Sequence, residues 1–189
     1  VSEPEVVRHF TSLSRMNFSV DTHFYPLGSC TMKFNPRFTE AIAAMDAFTG
    51  VHPWLGCLPE AHKHIQGWLG VLYDLEHLLC EITGMQAFTL QPSAGAHGEL
   101  TGVMLAHAYH TGRGDARRTV LVPDSSHGTN PASAAVCGYE VVVIPSGPDG
   151  CLDFEIFQEK MNDQVAMVML TCPNTLGIFN PRIGDICAC

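Results

Sequence analysis

Apolar residues return at helical spacing in the first sixteen positions. Val6, Phe10, Leu13 and Met16 recur every three or four residues behind Ser2-Glu3-Pro4-Glu5. That opening offers a cap, a proline tolerated in the first turn and a glutamate at the capping-box position, so a helix is predicted. From Asn17 to Phe34 no period persists, and polar, aromatic, Gly and Pro residues crowd together. This stretch is predicted to be an extended, functional loop. A second short helix is expected after Asn35-Pro36. The clearest period runs from about His62 to Thr83, with Ile65, Leu69, Leu72, Leu75, Leu79 and Ile82 on one side and Gly84 as the stop.

After Gly84 the pattern changes. Short apolar runs at 87–91, 119–122, 140–144 and 165–170 read as strands. Between them lie helical patterns at 99–110, 131–137 and 154–161, with a turn at Gly147-Pro148-Asp149-Gly150. Strand and helix in alternation predict an α/β architecture with a largely parallel sheet.

Composition narrows the function. The 189 residues suit one domain, or one and a fragment. Hydrophobic residues make up 46% and charged residues 15%, enough apolar material for a buried core. Ten Lys+Arg against 19 Asp+Glu leave a formal charge of −9, which argues against nucleic acid as a partner. No apolar run approaches the roughly 18 residues of a membrane span, and Val1 to Arg15 carry no signal-peptide core. Eight cysteines (Cys30, Cys57, Cys80, Cys137, Cys151, Cys172, Cys187 and Cys189) are scattered without a CxxC pair. They read as thiols of a reducing compartment, not as a disulfide framework, and the Cys187/Cys189 spacing is too weak to read as a metal site.

In doubly wound α/β folds, ligands bind where strands give way to helices. Three such loops are rich in small and polar residues. The first, Gln91 to Glu99, contains Ser93-Ala94-Gly95-Ala96; small residues admit a ligand close to the backbone, and helix-opening amides attract an anion such as phosphate. It is neither a Walker loop nor a Rossmann GxGxxG, and a plain tight turn explains it as well. The second, Pro123 to Pro131, sets His127 among small polar residues. A lone histidine is more often a satisfied surface residue, so His127 gains weight only from its setting. The third is Thr171 to Gly177. Three polar loops at one end of a sheet favour a phosphate-bearing cofactor.

The strings that carry these loops are familiar. Met16-Asn17-Phe18, the run His23-Phe24-Tyr25-Pro26-Leu27-Gly28-Ser29-Cys30-Thr31-Met32-Lys33, and the segments 90–102, 122–135 and 170–177 resemble the P-protein family of the glycine cleavage system. The likeness is nearest to its subunit 2 or C-terminal-half type. It implies a pyridoxal 5'-phosphate transferase of fold type I, with an aspartate-aminotransferase-like large domain (here incomplete) and an N-terminal helical arm. The implied division is 1–84 as arm and substrate-entrance loop, and 85–189 as a partial cofactor-binding domain. The implied activity releases CO2 from glycine and passes the aminomethyl group to the lipoyl arm of H-protein, with a partner P-protein subunit or half completing the assembly. By the same resemblance Ser93, Ala94, Gly95 and Ala96 lie near the cofactor phosphate, His127 stacks on its ring, and Asn174 or Thr175 approaches the ring oxygen. His127 and His23 are the implied catalytic residues. Tyr25, Ser29, Cys30 and Lys33 line the substrate entrance, a packed structural loop being the plain alternative. No metal is expected.

One departure stands against these matches. The family's Schiff-base lysine sits in a His-Lys-Thr string, and this chain holds only Lys33, Lys63 and Lys160, none in that setting. The chain also closes within a predicted helix at 185–189. The expectation is a truncated piece that is inactive alone. Two alternatives stay open: another fold type I enzyme, such as a desulfurase or decarboxylase, and a non-catalytic partner subunit. A zinc or redox protein built on the thiols ranks last. The resemblance fits a bacterial cytoplasm, or a mitochondrial matrix if the source is eukaryotic.

Overall fold

Each of the two compact units, Val1–Leu79 and Cys80–Cys189, is built differently. The structure is a computed structural model and describes residues 1–19, 22–23 and 35–189.

The first unit is helical. Helix α1 (Glu3–Ser14) starts as the sequence predicts, with the Glu5 carboxylate accepting from the Ser2 N–H at 2.7 Å and the Ser2 hydroxyl at 2.9 Å. Those contacts hold the Glu5 carboxyl below its usual range, the Ser2 backbone N–H being the larger cause. Short helices α2 (Arg37–Ala43) and α3 (Asp46–Thr49) follow. Two 3-10 segments, Pro53–Cys57 and Pro59–His64, then lead into α4 (Gln66–Thr83). The long helix therefore begins four residues later than its apolar period suggests, because Pro59 opens a tighter turn first. Gly84 ends it with φ +73°, a conformation that favours glycine. Ala61 and Ile65 are the buried apolar side chains among this unit's described residues. Val6, Phe10 and Leu13 on α1 and Met16 just after it are all exposed, as are Leu72 and Leu75 on α4.

The second unit is α/β. Helix α5 (Gly95–Gly112) precedes β1 (Thr119–Pro123), α6 (Thr129–Val136), β2 (Glu140–Ile144), α7 (Phe154–Lys160), β3 (Val165–Val168) and α8 (Ile183–Ala188). The sheet is parallel with order β2-β1-β3. As the central strand, β1 must bury both faces, which is why it reads as an unbroken apolar run. Alternation sends Val120 and Val122 to one side, with Val103, Ala134, Tyr139 and Met169. Leu121 goes to the other, with Ile144, Leu152, Phe157, Val165 and Ile186. The pairing of β1 with β3 slips at Ala166, and side chains satisfy the carbonyls there. Arg117 Nη1 donates to Val165 O and His110 Nε2 to Ala166 O, each at 2.9 Å.

One predicted strand is absent. Residues 87–91 have no regular structure and pair with nothing among the described residues. Their apolar alternation is real, yet a strand exists only with a ladder partner, and β2-β1-β3 offers this segment none. The helix after it starts at Gly95, earlier than the predicted residue 99, and β3 stops at Val168 instead of residue 170. No helix is long and apolar enough to cross a membrane among the described residues.

Candidate functional site

The loops that follow β1 and β3 are tied together at the carboxyl end of the sheet. Asp124, directly after β1, extends the ladder by donating its N–H to Ile144 O at 2.9 Å. Its carboxylate accepts from the Ser146 N–H at 2.9 Å and from the Ser146 hydroxyl. The Ser146 hydroxyl, then the Ser146 and Ser125 amides, hold the Asp124 carboxyl below the usual carboxylate range. On the other side, the Thr175 hydroxyl donates to the Ser125 carbonyl. The loop carrying His127 is thus gripped from β2's exit and from β3's exit at once.

His127 is exposed, yet its ring is not free to turn. Nδ1 accepts from the Thr129 N–H at 3.2 Å and lies 2.8 Å from the Thr129 hydroxyl. An Nδ1 that accepts from a backbone amide leaves the neutral ring's proton on Nε2. The ring is a donor held in place beside the start of α6.

Asn174 organises the third loop from within. Its Oδ1 accepts from the amides of Leu176 and Ile178 at 3.0 Å each, and its Nδ2 donates to Gly150 O at 2.8 Å. That last bond joins the loop to the turn predicted at 147–150. Gly150 sits there at φ +75°, where an added Cβ would lie 2.7 Å from Ile178 Cδ1. A small cleft between the two loops is lined by Pro123, Ser125, Ser126, Thr171, Asn174 and Asn180, among others.

Ser93, Ala94, Gly95 and Ala96 open α5. Ala94 is its extended N-cap residue, and the Ser93 hydroxyl meets His97 Nδ1 at 2.9 Å. All four residues are exposed, a Cβ built on Gly95 meets nothing within 4 Å, and the first amides of a helix have no intrahelical acceptor. The 18-residue helix packs against α6 and β3.

The structure therefore bonds the His127 and Thr175 loops to each other and sets Ser93–Ala96 at a helix start. His23 belongs to the first unit, where Thr22 Oγ1 lies 2.7 Å from its Nδ1 and Phe18 meets its ring edge-on. Tyr25, Ser29, Cys30 and Lys33 lie outside the described residues. Lys63 is exposed, and Lys160 pairs with Glu159 at 2.9 Å. Among the described residues no group of three His, Cys, Asp or Glu is placed to hold a metal ion. Sequence reasoning passed over Asp124, Ser146 and the buried Asn180 as site residues. The Pro-Asp-Ser string directly after a strand was the available signal for Asp124.

No protein-family model matches the chain. Over 187 residues (98% of its length) it is 54% identical to a Thermosipho africanus protein described as probable glycine dehydrogenase (decarboxylating) subunit 2. Proteins with the same description from Pyrococcus horikoshii and Alkaliphilus oremlandii are 53% and 50% identical over the same length. The chain spans 36–38% of the length of these curated relatives. Its fold matches a crystal structure of glycine decarboxylase (P-protein) of the glycine cleavage system in inhibitor-bound form, with a TM-score of 0.67 and 23% identity. That match covers 95% of this chain and 38% of the other. The α/β class is fold type I, as the resemblance implied, and the chain corresponds to part of that larger fold.

Proposed function

We propose that this chain, a homologue of glycine dehydrogenase (decarboxylating) subunit 2 across nearly all its residues, supplies the phosphate-binding and ring-facing loops of a pyridoxal 5'-phosphate-dependent glycine decarboxylase. The observation that carries the reading is the 54% identity over 98% of the chain. The proposed reaction releases CO2 from glycine and passes the aminomethyl group to the lipoyl arm of an H-protein. When bound, the cofactor supplies the electron sink for loss of the carboxylate.

The residues present fit such a group. Ser93, Ala94, Gly95 and Ala96 offer a hydroxyl, small side chains and the opening amides of a long helix, a donor set suited to a phosphate dianion. His127, its ring held by Thr129 with Nδ1 as acceptor, would hold the cofactor ring by stacking, with Nε2 left as the donor of the neutral ring. Asn174 or Thr175 would approach the ring oxygen; Asn174 also holds this loop from within, and the Thr175 hydroxyl donates to Ser125 O. His23, Tyr25, Ser29, Cys30 and Lys33 form the glycine entrance as the arm of residues 1–84. None of Lys33, Lys63 and Lys160 sits in the family's His-Lys-Thr setting, so none of them is proposed as the covalent anchor, and residues 1–189 alone are expected to turn over no glycine. A partner subunit and a reducing compartment, bacterial cytoplasm or mitochondrial matrix, complete the reading.

Two measurements test it. Borohydride reduction of the chain with pyridoxal 5'-phosphate, followed by peptide mass spectrometry, is expected to leave Lys33, Lys63 and Lys160 without stoichiometric label. Stoichiometric label on Lys33 would overturn its exclusion as the anchor. The full-length protein, with its partner subunit and lipoylated H-protein, is expected to exchange labelled bicarbonate into glycine. Cofactor binding without that exchange would overturn the decarboxylase reading.

A further inference from the structure

The most heavily bonded carboxylate at the sheet's ligand-facing end has no part in the reading above. Asp124 touches neither the small helix-opening loop nor, by any hydrogen bond, His127. It receives the Ser146 amide at 2.9 Å and the Ser146 hydroxyl, while its own N–H continues the β1–β2 ladder. One residue on, the Ser125 carbonyl accepts the Thr175 hydroxyl. Two residues further on stands His127. The chain between Asp124 and Asn130 is short and closed by two turns, with Ser126 N–H on Pro123 O and Asn130 N–H on His127 O, each at 3.0 Å. Little slack separates the carboxylate from the ring.

Resting on the proposed function, we infer that Asp124 is a positioning residue: through Ser146 it fixes the loop from which His127 and the Thr175 hydroxyl are both set. The argument is one of geometry and of bond strength. An ionised acceptor holding an amide and a hydroxyl makes charge-assisted bonds, about twice as strong as neutral ones. The Thr175–Ser125 bond is a neutral one made to a backbone atom of the same loop, so it can hold Thr175 only as firmly as that loop is held. Removing the charge at Asp124 weakens the loop's hold on β2's exit, leaving the Asp124 N–H on Ile144 O and neutral bonds to Ser146. The ring of His127 and the hydroxyl of Thr175 then share a looser reference, although neither contact residue has been changed. A purely local turn would behave otherwise: loosening 123–131 would leave 171–177 untouched.

The test uses the full-length protein with its partner subunit and the variants Asp124→Asn and Ser146→Ala. Three readouts are taken: hydrogen exchange of peptides covering 123–131 and 171–177 without cofactor, cofactor affinity by absorbance titration, and circular dichroism induced in the cofactor band. In Asp124→Asn, exchange is expected to quicken in both peptides. Affinity should fall about tenfold with a reduced cofactor dichroism, as loss of a charge-assisted bond predicts. Ser146→Ala keeps the amide donor and should show the same pattern at about threefold. Should Asp124→Asn fail to fold, Ser146→Ala decides alone. Faster exchange confined to 123–131, or unchanged affinity and dichroism in a folded variant, overturns the inference. Wild type that takes up no cofactor overturns the proposed function, and the inference falls with it.

Discussion

The two units spend their apolar residues in opposite ways. In Cys80–Cys189 the central strand β1 is buried on both faces, and Phe157, Leu121, Ile144 and Val120 are fully enclosed. In Val1–Leu79 the helices carry similar side chains outward, and Phe10 and Trp54 keep 62% and 76% of their surface exposed. Periodicity alone does not distinguish these cases. An amphipathic stripe states that a face wants covering, and only the rest of the fold states whether it is covered. The lesson is that a clean helical period marked the less consolidated half, while the shorter, less regular strands marked the core.

The largest effect expected from this contrast lies in the core. Phe157→Ala should cost about 3–5 kcal/mol, since it removes a fully buried ring and leaves a cavity, whereas Phe10→Ala on exposed α1 should stay within about 0.5 kcal/mol. Denaturant titration of both variants checks the pair, and equal losses would erase the distinction between the units. A single chemical change can also be given opposite signs. Gly150→Ala forces a side chain into a left-handed conformation against Ile178 and should cost at least about 1–2 kcal/mol. Gly70→Ala, inside α4 with nothing within 4 Å of the new carbon, should stabilise by about 0.5–1 kcal/mol. Thermal melts of the two variants measure the difference.

A smaller effect concerns acid. Asp124 is held below its ordinary range in the folded state, so its contribution to stability is present above the unfolded value of 3.8 and is lost as pH falls through the folded value. Glu5 behaves alike at the start of α1. Acid titration of Ser146→Ala, followed by circular dichroism, should show a shallower loss of stability below pH 3.8 than wild type, because the donor that depresses Asp124 most is gone. Identical acid limbs would remove Asp124 from the account.

Most of the α/β unit was legible in the sequence. The edges of β2 fall at Glu140 and Ile144 as predicted, because Gly138 and the Gly147 turn bracket a compact apolar run. The helix predicted from residue 154 starts there as α7, where the Asp153 carboxylate caps it by accepting the amides of Glu155 and Ile156. The predicted strand at 87–91 failed for a reason no local reading supplies, the lack of a ladder partner. In the candidate site, His127 was singled out by its setting among small polar residues, and Asn174 and Thr175 by the family resemblance of their loop. Asp124 and Ser146 were not, since residues 22 apart in sequence meet only when β1 and β2 pair.

The position of β1 also bears on how the sheet assembles. Thr119 pairs with Glu140 on one side and with Val165 on the other. Closing the longer of these two loops costs roughly 0.7 kcal/mol more chain entropy, and the shorter already contains α6 to stiffen it. On that ground β1–α6–β2 is the nucleus and β3 the late arrival. Asp124 would then find Ser146 before Thr175 finds Ser125. Pulse-labelled exchange during refolding should protect the amides of Val141–Val143 ahead of those of Met167 and Val168, and the reverse order would refute a nucleus built on the shorter crossover.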